Sequence, residues 1–364
     1  MSKPYPPVDY GEYLKLDALL GAQAPRSAEL GRAAHDEMLF IVVHQVYELW
    51  FKQILHELDS LLALFRTESV DERVIGVAVL RLQRVAEIEK ILIDQLHVLE
   101  TMTPLDFLDF RDMLVPASGF QSVQFRLVEN KLGLRGTERA AMEKTPAGGK
   151  RSSAEADAVR ASETGPSLFA LVEKWLERTP FLELPGYAFW ESYGEAVRAM
   201  LEDDRRTIQG NPTLTETEKE AQLGQLAQTE AAFEAVLDEK AHSRLVAEGR
   251  RRLSHRATRA ALFIHLYRDQ PILHLPFRFL TLLVDVDELL ANWRYRHALM
   301  VHRMIGTKIG TGGSSGHRYL LATVERNKVF GDLYDLSTFL ISRSALPALP
   351  PDLERRLGFY FPRG

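Results

Sequence analysis

From His35 to Phe65 the apolar residues Leu39, Phe40, Val43, Tyr47, Trp50, Phe51, Ile54, Leu58 and Leu62 recur every three or four positions, with no glycine or proline between them. At about 100° per residue they share one face, which predicts a long amphipathic helix. The same pattern runs from Asp71 to Leu99 through Val74, Ala78, Leu82, Val85, Ile88, Leu92 and Leu96. It returns over Leu168 to Glu177, Phe189 to Asp203, Thr215 to Leu237, Arg251 to Tyr267, Phe277 to Met304 and His317 to Ser342. Before these, Gly11 to Gln23 carries Tyr13, Leu14, Leu16, Leu19 and Leu20, the stripe of a small docking helix. Few runs alternate with period two and no hairpin signal joins any pair, so an all-α fold is expected.

Three stretches fall outside the helical pattern. Residues 133 to 166 lose the periodicity and fill with Gly, Ser, Ala, Glu and Lys, predicting a surface insertion at about 134–166. Pro271 and Pro276 are expected to bracket a short loop between two core helices, not a domain linker. Ser344 to Pro351 is rich in breakers and opens a tail. The organisation expected is an N-terminal arm and docking helix over 1–25, one helical domain over 26–343 and a tail over 344–364.

Composition narrows the chemistry. The 364 residues are 46% hydrophobic and 26% charged, with a formal net charge of −5, which gives no general attraction to nucleic acid or an anionic membrane. With no cysteine in the chain, disulfides, zinc-thiolate sites, iron–sulfur clusters and thiolate-ligated haem are all excluded. The most apolar stretch, Ala260 to Val286, is broken by His265, Arg268, Asp269 and Arg278 and cannot span a membrane. The proline-bearing start has no apolar run of a secretory signal, so a cytoplasmic location is expected.

Three segments carry polar groups where the pattern calls for apolar ones. On the first, His44 shares a stripe with Phe40, Tyr47 and Phe51; it is either a core histidine satisfied by a nearby acceptor or a polar contact in an aromatic pocket. On the second, Arg111 stands among Phe107, Phe110, Met113 and Leu114. Its guanidinium needs an anion, either Asp109 or Asp112 of the chain or the carboxylate of a ligand. The third, Trp293 to Gly316, is a helix with His297 and His302 that runs into a stretch where Gly306, Gly310, Gly312, Gly313 and Gly316 mix with Thr311, Ser314 and Ser315. That stretch is a polar loop suited to closing over a ligand, and it lacks the Gly-Lys-Ser/Thr ending of a Walker loop. His297 and His302, five residues apart, point about 140° away from each other on a helix and cannot ligate one metal together.

Together with the start Tyr10-Gly-Glu-Tyr13-Leu-Lys-Leu-Asp, the segments His35 to Gln53, Pro116 to Arg126 and Trp293 to Gly316 resemble the tryptophan 2,3-dioxygenase family from about Tyr10 to Leu340. The resemblance implies a homotetramer of helical chains that binds haem b, ferrous when active. Such an enzyme cleaves the indole C2–C3 bond of L-tryptophan with O2 to give N-formylkynurenine, the first step of the kynurenine pathway. It implies that His297, in the Trp-Arg-x-x-His pattern, is the axial ligand of the haem iron, and that Ser118 and Tyr319 lie near the haem and its propionates. It places His44 against the indole nitrogen as the catalytic residue, Arg111 on the substrate carboxylate, Thr311 on the ammonium and carboxylate, and Phe40 and Phe107 along the indole. Tyr10 and Tyr13 would reach in from a neighbouring subunit. His317 and Leu321 depart from the Tyr and Arg of the family pattern. Some relatives of this fold are haem monooxygenases on substituted tryptophans or indoles, an alternative separated by the number of oxygen atoms in the product.

Overall fold

The computed structural model describes residues 5–67, 69–134, 153–180, 187–308, 310 and 316–359, and among them there are helices and no β-strand. In chain order the helices are α1 (Tyr10–Leu14), α2 (Leu16–Leu20), α3 (Arg26–Glu29), α4 (Glu37–Phe65), α5 (Glu72–Leu99), α6 (Pro104–Arg111) and α7 (Val123–Leu132). Then come α8 (Ser153–Thr164), α9 (Leu168–Glu177), α10 (Phe189–Gly210), α11 (Glu216–Leu237), α12 (Glu239–Ala247) and α13 (His255–Leu266). The last are α14 (Pro271–Ile305), α15 (Gly316–Arg326), α16 (Gly331–Asp335) and α17 (Pro351–Leu357).

Local chemistry sets most of the starts. Asp71 caps α5 by accepting from Val74 N at 2.9 Å, and Thr103 and Thr215 form capping boxes with Asp106 and Glu218 at the heads of α6 and α11. Ser122, Ser167 and Ser254 cap α7, α9 and α13. Gly133 ends α7 at φ +122, and a Cβ there would lie 2.7 Å from Phe169 Cβ, so both conformation and space require glycine.

The long helices α4, α5 and α14 form the centre, with α7 and α9 against α4, and α15 against α14. Their facing stripes, Ile54, Leu58 and Leu61 on α4, Leu82, Val85 and Leu92 on α5, and Phe279, Leu283 and Val286 on α14, are all buried. At the end of the bundle Phe65 stacks on Phe279 at 5.0 Å while Trp175 meets Phe279 edge-on at 5.6 Å.

Four expectations are corrected. Pro271 and Pro276 do not bracket a loop: Pro271 is the first residue of α14, where its missing N–H costs nothing, and the helix continues through Pro276 for 35 residues, a rod about 52 Å long. The helix expected over His317 to Ser342 is broken after Arg326, because the Asp287 carboxylate of α14 accepts from Val329 N and Phe330 N at 3.0 Å and draws those amides out of a helical ladder. The second half of the insertion is helical: α8 packs on α7, buries Val159, and its Ser162 accepts from Asn130 Nδ2 at 2.7 Å. The single docking helix is two short ones, since Lys15 adopts φ 53 between α1 and α2, and neither buries a side chain on its own protomer.

Buried charge concentrates on the inner face of α14. Arg294 donates to Glu129 Oε1 at 2.9 Å and to the Asn327 carbonyl oxygen at 3.0 Å, joining α7 and the α15 exit to α14. Glu89 of α5, 1% exposed, lies within electrostatic range of Arg294 and Asp287, and burial pushes its carboxyl well above the ordinary carboxylate range. Removing the Asp287 carboxylate orphans two buried amides, so Asp287→Ala is expected to cost on the order of 3 kcal/mol. Asp287→Asn, which keeps one acceptor, costs less; equal melting temperatures for the two variants would contradict the capping role.

The tail is not separate from the body. Leu353 and Leu357 of α17 are buried near α14, and Tyr267 and Tyr187 donate to the carbonyl oxygens of Pro347 and Ala348 at 2.7 and 3.1 Å.

Candidate active site

The stripe read on α4 opens onto a cavity of about 270 Å³. Phe40, His44, Tyr47, Glu48 and Phe51 form its α4 wall; Leu96, Leu99 and Met102 close one end. Phe107 and Arg111 come from α6, Phe125, Arg126 and Glu129 from α7, and Trp293, Arg294, His297, Met300 and Met304 from α14. Ser118 and Gly310 also line it. The walls are mainly aromatic and aliphatic, with a few convergent polar groups, the composition of a small-molecule site.

His297 projects from the middle of α14 and stacks on Trp293, one turn earlier, at 5.2 Å and 12°. Its Nδ1 is buried and has no hydrogen-bond partner among the described residues, an uncommon state for a buried polar atom. Burial lowers its pKa to about 4, with a smaller contribution from His44. It is therefore a neutral imidazole at physiological pH, with a lone pair available.

His44 faces the same cavity in a different way. Its Nδ1 donates to the Phe40 carbonyl oxygen at 2.7 Å, and since a carbonyl can only accept, Nδ1 carries the proton and Nε2 keeps its lone pair. Burial lowers the His44 pKa, opposed by this hydrogen bond and by Glu48. Glu48 in turn is held by the Gln124 amide, which reaches both its carboxylate and its backbone carbonyl at 2.8 Å. Phe40 lies 4.1 Å from the His44 ring and 5.7 Å from Phe107, and Phe107 meets Phe110 edge-on at 5.4 Å.

Arg111 ends α6 with its guanidinium at the cavity wall and a contact to Asp112 at 3.4 Å. Asp112 is 87% exposed, and so screened a contact is worth under about 1 kcal/mol. Asp109, the other carboxylate considered from the sequence, has no ion pair with Arg111 among the described residues. Arg126 and Arg294, tied together through Glu129, also bring positive charge to the lining.

Of the residues singled out from the sequence, Phe40, His44, Phe107, Arg111, Ser118 and His297 meet in this one cavity. Tyr10 and Tyr13 do not: they are 73% and 74% exposed on α1. Thr311 lies outside the described residues, and Tyr319 is placed on α15 by its backbone only. The sequence reading gave no role to Phe125, Arg126, Glu129 or Arg294. Arg126 closes the Pro116 to Arg126 segment and Arg294 stands beside Trp293, but helical spacing alone does not distinguish a charge that turns inward to an ion pair from one that faces water.

The profile of the tryptophan 2,3-dioxygenase family matches residues 5–340. The chain is 54% identical over 357 residues to the tryptophan 2,3-dioxygenase of Bdellovibrio bacteriovorus, covering 98% of this chain and 99% of that one. It is 48% identical to that of Alteromonas mediterranea, covering 99% of each chain, and 48% identical to that of Dictyostelium discoideum, covering 97% of this chain and 88% of the relative. A match of this extent, over a chain whose cavity faces carry the family's segments, has one reading: the protein belongs to the tryptophan 2,3-dioxygenase family.

Proposed function

We propose that this protein cleaves the C2–C3 bond of the indole of L-tryptophan, adding both atoms of O2 to give N-formylkynurenine, the first step of the kynurenine pathway, with haem b as cofactor. The observation that carries the reading is the pair of neutral imidazoles, His297 and His44, turned into one apolar, aromatic-walled cavity. The residues fit the haem: a neutral buried histidine without a competing hydrogen bond at Nδ1, apolar walls from Phe125, Met300, Met304 and Leu320, and cationic Arg126 and Arg294 at the side. His297 would hold its iron, and Ser118 and Tyr319 would lie beside the bound group. When bound, ferrous haem supplies the oxygen-binding and redox chemistry.

The chain itself binds, orients and keeps water out. His44 Nε2 accepts the indole N–H, a role its fixed tautomer suits, while Phe40 and Phe107 hold the ring by its faces and edges. Arg111 takes the substrate carboxylate, and Thr311 the ammonium and carboxylate. With both ends of the amino acid fixed, the reacting carbons have one orientation in a dry pocket. Turnover of ferrous protein with tryptophan under labelled O2 should give a product carrying two labelled oxygens; a product with one would place the protein with the monooxygenases of this fold.

The His44 role has a pH signature. Burial holds its folded pKa below the ordinary 6.5, so the ring stays neutral as pH falls through that value. The kcat/KM for tryptophan should hold level from weakly alkaline pH to below 6.5 and decline only as His44 takes up a proton. A midpoint above 6.5 would contradict this assignment.

We also propose that four chains assemble and exchange their N-terminal arms, with Tyr10 and Tyr13 completing a neighbour's site, and that the enzyme works in the cytoplasm. No described helix is long and apolar enough to cross a membrane. The root of the arm is pinned: Glu37 accepts from Arg26 N and Ser27 N at 2.7 and 2.8 Å, and Gln45 exchanges hydrogen bonds with Gln23 and Ala22. Beyond it, two five-residue helices with exposed aromatics are too short to persist unsupported in water, which favours a docking surface on another chain. Deleting residues 1–15 should lower kcat/KM and solution mass together; normal turnover at unchanged mass would refute the exchange.

A further inference from the structure

Two histidines that the reaction does not use come together at the surface. His302 is exposed in the last turn of α14, and His317 is partly buried in the first turn of α15; their rings lie 4.3 Å apart, centre to centre, tilted by 32°. His317 Nδ1 donates to the Ala298 carbonyl oxygen at 3.1 Å, so in the neutral ring Nε2 carries the free lone pair. A ring nitrogen donated to a backbone carbonyl, leaving the other bare, is the arrangement that orients metal-binding histidines.

The spacing selects a geometry. With metal–nitrogen bonds of about 2.0–2.1 Å, two imidazoles on one ion have ring centres about 4.5 Å apart when cis near 90°, and about 5.2 Å apart at the tetrahedral angle. The observed 4.3 Å matches the cis arrangement of square or octahedral ions. We propose that His302 and His317 form a binding site for a divalent transition ion of the nickel or copper type, the remaining positions being taken by water. Such an ion would cross-link the end of the helix that carries His297 to the start of α15, and would be distinct from the iron of the haem, from which His302 is turned away around α14.

Calorimetric titration of the untagged, haem-loaded protein with NiCl2 tests this without reference to turnover. One ion per chain should bind in the micromolar range, and His302→Gln and His317→Gln should each weaken it at least tenfold, whereas His274→Gln, an exposed histidine elsewhere on α14, should leave it unchanged. The Soret band checks that each variant is folded and loaded. Nickel affinity unchanged in both His302→Gln and His317→Gln, or no binding to wild type, would overturn the proposal.

Discussion

His297→Ala is expected to abolish stable haem binding and turnover with it, while His302→Ala keeps the full haem spectrum. The two residues share a helix and are five positions apart, but only His297 lines the cavity. Its burial holds it neutral down to about pH 4, so no proton need leave before the nitrogen binds iron. Among the described residues the one other histidine that lines the cavity is His44. The alanine leaves a void of imidazole size, and added imidazole should restore part of the Soret absorbance. Quantifying bound haem in the purified variants decides the matter: a normal haem content in His297→Ala with loss in His302→Ala would reverse the assignment.

The second large effect is expected at Arg111. Removing one partner of a desolvated charge-assisted pair costs roughly 2 to 5 kcal/mol, so Arg111→Ala should lose on the order of 30-fold or more in kcat/KM for tryptophan. Tryptamine lacks the carboxylate and should be affected far less. If the guanidinium served only the fold, its loss would depress both substrates alike and lower the melting temperature. The place of Arg111 in the cavity lining, beside Phe107, favours the binding role and the unequal loss. Equal losses for both compounds with a large fall in stability would remove the binding role.

The long helices were legible because each presents an unbroken apolar stripe: α9 begins and ends where the spacing places it, α5 and α11 differ only at their N-caps, and α4 starts two residues later than the spacing places it. What escaped depends on contacts distant in sequence. The break between α15 and α16 is fixed by Asp287, some forty residues earlier. Helix α12 is mostly polar and buries only His242, so it leaves no stripe to read. Pro276 misled because a proline in an apolar run usually ends a helix, whereas here a well-packed rod absorbs the lost hydrogen bond. At the site, His44 and Arg111 stood out as polar residues on apolar faces. That signal locates a pocket; the assignment to haem and tryptophan came from the resemblance, because helical periodicity carries no information about iron.

The charged groups buried along the inner face of α14 constrain how this sequence can change over evolutionary time. Arg294 lies within electrostatic range of Glu89 and Asp287 and pairs with Glu129, and it offsets part of what each carboxyl costs. Replacing all four by well-packed apolar residues need not destabilise the core, but a route that loses Arg294 first strips the buried carboxyls of the cation they share. Drift at these positions is therefore expected to be correlated: lineages keep the quartet intact or replace several members in close succession, with Arg294, the only cation among three carboxyls, the last that can be lost alone.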